Sequence, residues 1–230
     1  MKNINEIAFI IQARLGSTRV PQKMIREFNG TSLFEICIQK LLGCSSIPKN
    51  QIYASIYENE LVTIANKHSI NIFNRSEISA KAESSLQEIY EWHNKLPQFK
   101  YVILVNACQP FLACQTINNF VDHFVNSNYD GLFGVIKKKN YFWNKNHDMI
   151  TTWPSDQTIM NTKVVEETLE AAHSLYASRL DCIKSNVFMG SFKKNSPELF
   201  EMSEYETFDI DYEWQFQMAK DHHKSLINNL

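Results

Sequence analysis

The sequence predicts an α/β protein built as a three-layer sandwich, with helices on both faces of a mostly parallel sheet. Apolar runs rich in β-branched residues alternate with helical patterns from residue 7 to residue 125, the order that produces parallel strands joined by crossover helices. The first run is continuously apolar, which indicates a strand buried on both faces. A length of 230 residues with 44% hydrophobic content is enough for a sizeable core.

Each element follows from a local pattern. Strands are expected where short apolar runs stand between turn residues, at 7–11, 51–57, 70–73, 101–106 and 131–136. Helices are expected where apolar residues recur every three or four positions, at 33–42, 60–68, 83–96 and 116–125. Ser32, followed three residues later by Glu35, forms a capping-box pattern that places the start of the first helix.

Beyond the fifth strand the alternation loosens. Residues 160–172 show a helical pattern, 173–177 and 187–192 show extended patterns, and a last helix is expected from Tyr212. The three lysines at 137–139 are interpreted as a solvated strand end in preference to a ligand contact.

An aromatic-rich segment lies between the fifth strand and this later part of the chain. Residues 141–154 contain Tyr141, Phe142, Trp143 and Trp153. The pattern favours a hairpin or another excursion from the main sheet. If these aromatic side chains are exposed, they indicate a surface for a partner.

Composition excludes several classes of protein. A formal charge of −2 is not the basic surface that non-specific nucleic-acid binding needs, and no apolar run reaches the roughly 18 residues of a membrane span. Five cysteines form no C-x-x-C pair, and the first residues do not resemble a signal peptide. We therefore expect a cytoplasmic protein with reduced thiols and without nucleic-acid or membrane partners.

The first strand leads directly into a cationic loop. Its polar and basic side chains are Arg14, Ser17, Thr18, Arg19 and Lys23. Gly16 lets the backbone approach a ligand closely, hydroxyls donate hydrogen bonds, and the cations supply fixed positive charge. Because ligands of α/β proteins lie beyond the carboxyl ends of the strands, the loop predicts a phosphate site. The alternative is an ordinary solvated loop.

Two aspartates stand just before the last helix. Asp209 and Asp211 are two positions apart, so on an extended backbone their carboxylates point the same way. Mg²⁺ prefers oxygen ligands and usually takes one or two carboxylates plus substrate phosphates. Alone, this pattern is more typical of a helix cap. Together with the phosphate loop it predicts a magnesium site for nucleotidyl transfer.

The stretch QARLGSTRVPQK, from Gln12 to Lys23, resembles the N-terminal signature of the sugar-activating cytidylyltransferases, roughly (P/Q)-A-R-x-G-S-x-(R/G)-(I/L/V)-P-x-K. This family includes the acylneuraminate, 3-deoxy-manno-octulosonate and spore-coat polysaccharide types. FDIDYEW at 208–214 is similar to the acidic motif that binds metal in this family. The resemblance therefore covers about residues 7–220, whereas a G-x-G-x-x-G and a P-loop are both absent.

The resemblance implies a Rossmann-like nucleotidyltransferase sheet in one domain over residues 1–230. Residues 138–160 would form an arm that docks on the second subunit of a homodimer. Arg14 and Lys23 would be catalytic, and Asp209 and Asp211 would hold Mg²⁺. Nucleotide contacts carried over from the first motif are Ala13, Arg14, Gly16, Ser17, Arg19 and Lys23.

The middle of the chain resembles the family less closely. Arg75, Ser84, Ser85, Asn106 and Gln109 stand near family positions that contact nucleotide. The two amides would hold ribose or pyrimidine edges, and the alternative is a polar strand end with a cap. The acidic residue that the octulosonate type has after the fourth strand is missing, and the sugar-binding half departs most.

Together the motifs predict a CTP-dependent cytidylyltransferase that converts a nonulosonic, sialic-acid-like sugar to its CMP-sugar, releasing pyrophosphate for surface glycan synthesis. Two alternatives stay open. One is the same chemistry on a phosphorylated or phosphonate acceptor. The other is a nucleotide-binding protein of this fold without turnover, which the retained aspartate pair argues against. CTP itself follows from the resemblance, since phosphate loops do not distinguish bases.

Overall fold

A seven-stranded mixed sheet organises the computed structural model, which describes residues 1–81, 85–185 and 197–228. The strand order is β3-β2-β1-β4-β6-β5-β7. The strands are β1 Ile7–Gln12, β2 Ile52–Ile56, β3 Asn71–Asn74, β4 Tyr101–Val105, β5 Gly131–Lys138, β6 Thr168–Arg179 and β7 Glu198–Met202.

Helices connect these strands and pack on both faces of the sheet. They are α1 Leu33–Gly43, α2 Asn59–Lys67, α3 Glu77–Ala80, α4 Leu86–Ile89, α5 Cys114–Asn126, α6 Leu180–Ile183 and α7 Glu213–Asn228. Short 3-10 turns lie at Ile4–Glu6, Lys49–Gln51 and Glu91–Asn94. None of the helices within the described ranges is long and apolar enough to cross a membrane.

The central strand β1 contributes to two separate hydrophobic cores. Phe9 and Ile11 pack with α1, α2, α5 and α7 on one face. Ala8 and Ile10 pack on the other face with Trp92 and the α6 region. Successive side chains of a strand point to opposite faces, so one apolar run serves both layers. The predicted three-layer sandwich is confirmed.

The sheet is mostly parallel, as predicted, but β6 runs antiparallel to both of its neighbours, β4 and β5. Part of β6 falls within 160–172, which the sequence predicts to be helical, and that prediction is wrong. Glu, Leu and Ala favour helix locally, but a strand paired on both sides satisfies its backbone through long-range hydrogen bonds, and tertiary context overrides propensity.

Other expected elements differ in extent. The helix expected at 83–96 is two shorter pieces, α4 and the 3-10 turn at Glu91–Asn94, separated at Tyr90. Trp92, completely buried, lies in the second piece. The edge strand β7 was not predicted, and the strand expected at 187–192 lies outside the described residues.

The excursion between β5 and β6 is irregular over the described residues 139–167, apart from a single bridge between Trp143 and Met149. Its apolar side chains reach the surface: Trp143 is 48% exposed and Ile150 is 67% exposed. The condition that the sequence set for a partner surface is therefore met. Tyr141 is buried, and its ring contacts that of Trp153 at a tilt of 33°, with the ring centres 5.4 Å apart. The segment therefore has a small internal contact and an apolar outer face.

Helix α1 contains a partly buried cation, Lys40, that holds the turn after β4. The Lys40 ammonium donates to the carbonyl oxygens of Gln109 and Pro110, and burial lowers its pKa from 10.5 to about 8. Between these values the unfolded chain binds a proton that the folded protein does not, so this group makes stability rise with pH.

We expect the unfolding free energy of the wild type, relative to Lys40→Met, to increase by up to about 3 kcal/mol as pH rises from 8 to 10.5. Urea unfolding of both proteins across this range measures the difference. The buried Cys37 thiol, whose pKa burial raises to about 12, acts oppositely but is present in both proteins. A difference independent of pH would contradict the assignment to Lys40.

Candidate functional site

Two distant segments meet where β1 and β4 end. The loop after β1 contains Lys23, whose ammonium donates to the carbonyl oxygen of Ile210. The N–H group of Ile210 donates to the carbonyl oxygen of Cys108, just after β4, over 3.1 Å. Because β1 and β4 are parallel neighbours, these bonds hold the Asp209–Asp211 segment against the carboxyl edge of the sheet.

A cavity of about 360 Å³ lies between the loop and this segment. The residues lining it are Gln12, Ala13, Arg14, Gly16, Ser17, Thr18, Arg19, Lys23, Met24, Cys108 and Asp211. The six residues carried over from the first motif therefore surround one space together with one of the two aspartates. They are brought together at the edge of the sheet where the sequence predicts a phosphate site.

The two carboxylates have different surroundings. The Asp211 carboxylate is 2.8 Å from the Arg19 guanidinium and 3.8 Å from the Lys23 ammonium. Asp209 is more deeply placed, and burial raises its pKa above the usual value, although the neighbouring Lys23 opposes this shift. Its Oδ1 atom is buried and has no hydrogen-bond partner among the described residues.

This donor set fits a hard divalent cation that is also held by a substrate. Asp209 offers an unpartnered buried carboxylate oxygen, and Asp211 is exchangeable because its ion pair with Arg19 is more than a third exposed on each side. Within the described residues, no three His, Cys, Asp or Glu side chains are placed to hold a metal unaided. Mg²⁺ at such a site would need phosphate oxygens as further ligands.

Gly16 is predicted to leave room for a ligand. A Cβ atom there would meet no protein atom within 4 Å, and its backbone lies outside the left-handed region. Neither folding nor crowding by the protein therefore requires glycine. We expect Gly16→Ala to leave the unfolding free energy within about 0.5 kcal/mol while raising the KM for nucleotide roughly tenfold.

Gly30→Ala is the matched control, because Gly30 has φ +82°. Alanine is strained in that conformation, so we expect a loss of about 1 kcal/mol in stability with KM unchanged. Denaturant unfolding and initial rates at varied nucleotide concentration measure both effects. An unchanged KM in Gly16→Ala would contradict close backbone approach to the ligand.

A second cavity, of about 190 Å³, adjoins the first across Ala13 and Arg14. Arg75 lines it but is only 6% exposed. Its guanidinium donates to the carbonyl oxygen of Ala13 and to both oxygens of Ser79, and burial lowers its pKa to about 10. Arg75 thus supports the backbone of the first motif from beneath.

The serine hydroxyls at 84 and 85 are placed by the resemblance near positions that contact nucleotide. Ser85 is exposed and lines neither cavity. Its hydroxyl accepts the N–H of Glu88 in a capping box that starts α4. Ser84 lies outside the described residues. A nucleotide contact at Ser85 stays a prediction, with helix capping as its observed role.

The amides at the end of β4 hold this turn against β6. The Asn106 amide donates to the carbonyl oxygen of His173 over 2.7 Å and accepts from the N–H of Cys108. The Gln109 amide is buried and donates to the carbonyl oxygens of Ala172 and His173. This geometry favours the capping alternative, although Gln109 keeps one unpartnered buried oxygen.

Sequence reasoning missed two features. Glu58, which precedes α2, accepts the N–H of Leu15 through its carboxylate over 2.7 Å and so fixes the cationic loop. His173 interrupts β6 with φ +49°, and its ring lies 3.1 Å from the Tyr176 hydroxyl. A non-glycine residue in this conformation is uncommon and worth attention, but no sequence pattern marks it.

These features define an α/β protein with a cationic cavity at the carboxyl edge of a mostly parallel sheet, where such proteins bind their ligands. A sequence model described as cytidylyltransferase matches residues 8–228. The chain therefore belongs to the cytidylyltransferase family.

Individual relatives are distant. A 3-deoxy-manno-octulosonate cytidylyltransferase from Rickettsia felis is 24% identical over 199 residues, or 85% of this chain and 74% of that protein. An N-acylneuraminate cytidylyltransferase B from Danio rerio is 23% identical over 137 residues, or 59% of this chain. The match spans about a third of the Danio rerio protein, 32% of its length.

A solved structure shares the fold. A CMP:2-keto-3-deoxy-manno-octonic acid synthetase complexed with CTP superimposes with a TM-score of 0.69 at 11% identity. The match covers 96% of this chain and 99% of that one. The nucleotidyltransferase sheet expected from the resemblance is confirmed by this likeness.

Proposed function

We propose that this protein is a cytidylyltransferase that transfers CMP from CTP to a sugar acid and releases pyrophosphate. The observation that carries the proposal is the 360 Å³ cavity in which the cationic loop faces Asp211. The names of the relatives add the substrate class, because both the acylneuraminate and the octulosonate types activate sugar acids. Within this class, a nonulosonic acid is the proposed acceptor.

Different residues of the chain bind the phosphates and the metal ion. Arg14 and Lys23 bind and polarise the phosphates, Arg19 and Ser17 assist, and Asp209 and Asp211 would hold Mg²⁺. Mg²⁺, when bound, neutralises charge on the triphosphate as pyrophosphate departs. The acceptor hydroxyl oxygen attacks the α-phosphorus. Its bond to the CMP phosphorus forms as the bond from that phosphorus to pyrophosphate breaks, and the hydroxyl proton is lost to solvent. Fixed cations stabilise the negative charge that is spread over the transition state.

The acceptor would lie on the β6 side of this site. A hydrogen bond from Asn106 opposes the rise in the pKa of Asp209, and Asn106 also donates to the carbonyl oxygen of His173, whose ring lies 3.1 Å from the Tyr176 hydroxyl. These groups offer hydrogen-bond donors and acceptors, which suit a hydroxyl-rich acceptor. Gln109, with its unpartnered oxygen, completes the wall formed by β4 and β6.

Pyrophosphate release tests the function. The protein is incubated with Mg²⁺ and each of the four nucleoside triphosphates, against eight- and nine-carbon sugar acids and phosphorylated or phosphonate acceptors. We expect release only with CTP and a sugar acid, fastest with a nonulosonic acid. Pyrophosphate release only with a phosphorylated or phosphonate acceptor would show that the acceptor belongs to that class and is not a sugar acid. CTP binding without release across the panel would support a nucleotide-binding role without turnover.

We propose further that the segment 138–160 forms the contact between two copies of the chain. Its support is the exposed apolar outer face that contains Trp143 and Ile150, since large exposed apolar patches mark interaction sites. We expect a mass of about twice 26.8 kDa for the wild type. Ile150→Glu should shift the equilibrium towards monomer.

Sedimentation equilibrium measures this shift. Leu226→Glu, which places the same charge at an exposed position of α7, is the matched control and should leave the mass unchanged. A monomeric wild type, or a dimer indifferent to Ile150→Glu, would contradict this interface.

A further inference from the structure

Gln12, the last residue of β1, is anchored by a tryptophan from a distant part of the chain. It lies on the same face of the strand as Ala8 and Ile10, the face covered by Trp92. The Gln12 Oε1 atom is 3.0 Å from the Trp92 indole nitrogen and 3.5 Å from the Ser55 hydroxyl. Trp92 itself is completely buried, so this anchor is fixed in the second core.

The anchor determines which way the Gln12 amide faces. An indole N–H donates and never accepts, so the group that meets Trp92 must be the carboxamide oxygen, and the usual ambiguity of amide orientation is resolved. The Gln12 Nε2 atom is therefore turned away from Trp92. Within residues 1–81, 85–185 and 197–228, no protein group accepts a hydrogen bond from it.

Gln12 borders both cavities of the site. It lines the larger one with the cationic loop and the smaller one with Arg75 and Ile89. Arg19 and Lys23 line only the larger cavity, Arg14 lines both, and Lys81 joins Arg75 at the smaller one. The smaller cavity, at about 190 Å³, is below the roughly 300 Å³ of an ordinary ligand pocket. A single-ring base suits that space, and a neutral N–H donor suits a neutral acceptor.

We propose that Gln12, held in one orientation by Trp92, donates its amide N–H to the ring carbonyl oxygen of the pyrimidine and is a specificity-determining residue. The inference rests on the proposed function, because it takes the nucleotide of that reaction as the ligand. Cytosine and uracil both have this carbonyl, and adenine has none. Gln12 thus separates pyrimidines from adenine and does not separate cytosine from uracil.

Binding measurements test the inference without relying on turnover. Titration calorimetry compares CTP, UTP and inorganic tripolyphosphate with the wild type, Gln12→Met and Trp92→Phe. Gln12→Met removes the donor, and Trp92→Phe keeps most of the ring but frees the amide to rotate. We expect the Kd for CTP and for UTP to rise roughly three- to tenfold in both variants, as for one lost neutral hydrogen bond. The Kd for tripolyphosphate should stay within about twofold.

Gln98→Met is the matched control, because the Gln98 amide is exposed and bonds to Tyr53 away from both cavities. Thermal unfolding shows whether the Trp92→Phe protein is folded. If that variant is unfolded, the binding data for Gln12→Met still test the inference. The inference would be overturned if the Kd rose equally for all three ligands, or if the Kd for CTP did not rise. Neither result would affect the proposed function, which pyrophosphate release tests separately. A wild type that neither binds nor consumes CTP would instead overturn the function and the inference with it.

Discussion

Asp209→Asn is expected to slow pyrophosphate release roughly a thousandfold or more while making the folded protein more resistant to denaturant. Burial raises the pKa of Asp209, so its ionised form is disfavoured in the folded state and costs stability at neutral pH. Asparagine keeps the shape and removes the charge. The same change removes a carboxylate proposed to hold Mg²⁺, a loss of several kcal/mol that lowers kcat roughly a thousandfold or more.

The two effects are measured by urea unfolding at pH 7 and by initial rates with saturating substrates. Asp122→Asn, at an exposed position of α5, is the matched control and should change neither. Asp211→Asn should also lower kcat, with a stability change below about 1 kcal/mol, because its ion pair is exposed. An Asp209→Asn protein with wild-type kcat would remove this carboxylate from the reaction.

Lys23→Met is expected to reduce kcat/KM by about a hundredfold, mainly through kcat. The Lys23 side chain is only 11% exposed, and its ammonium stands between the Asp-x-Asp segment and the cavity. A fixed, poorly solvated cation stabilises developing phosphate charge more than it stabilises the bound substrate. Losing its bond to the Ile210 carbonyl should also lower stability by about 1–2 kcal/mol.

Separate measurement of kcat and KM distinguishes this role from simple substrate binding. Lys49→Met, at an exposed position of the 3-10 turn before β2, removes the same charge outside the cavity lining and should behave as wild type. A variant with raised KM but unchanged kcat would limit Lys23 to ground-state binding.

The sequence predicted the parts of the site that lie within short stretches. The buried strand β1, the loop after it and the aspartates before α7 all have local signatures, and the structure places the loop and Asp211 around one cavity. Strand alternation likewise predicted the parallel half of the sheet. Local patterns were enough to predict these elements, because the spacing of apolar residues within each one already indicates which of its residues are buried.

The features that were missed depend on contacts between distant residues. Strand β6 is a strand because β4 and β5 pair with it, whereas its own residues favour helix. Gln12 is oriented by Trp92, 80 positions away, and Asn106 is engaged by the carbonyl oxygen of His173, 67 positions away. No local pattern contains such pairs, so the sequence alone left the roles of these amides open.

The cationic loop and the Asp209–Asp211 segment come into contact only late in synthesis of the chain. Arg19 and Asp211, which pair across the cavity, are 192 positions apart. At roughly 5–20 residues per second, a ribosome needs about 10–40 seconds to pass from one to the other. During that interval the nascent chain has the loop's positive charge without its opposing carboxylates. A nucleotide bound at the proposed site would stabilise only the finished pairing, so by mass action it would favour chains in which both segments have met.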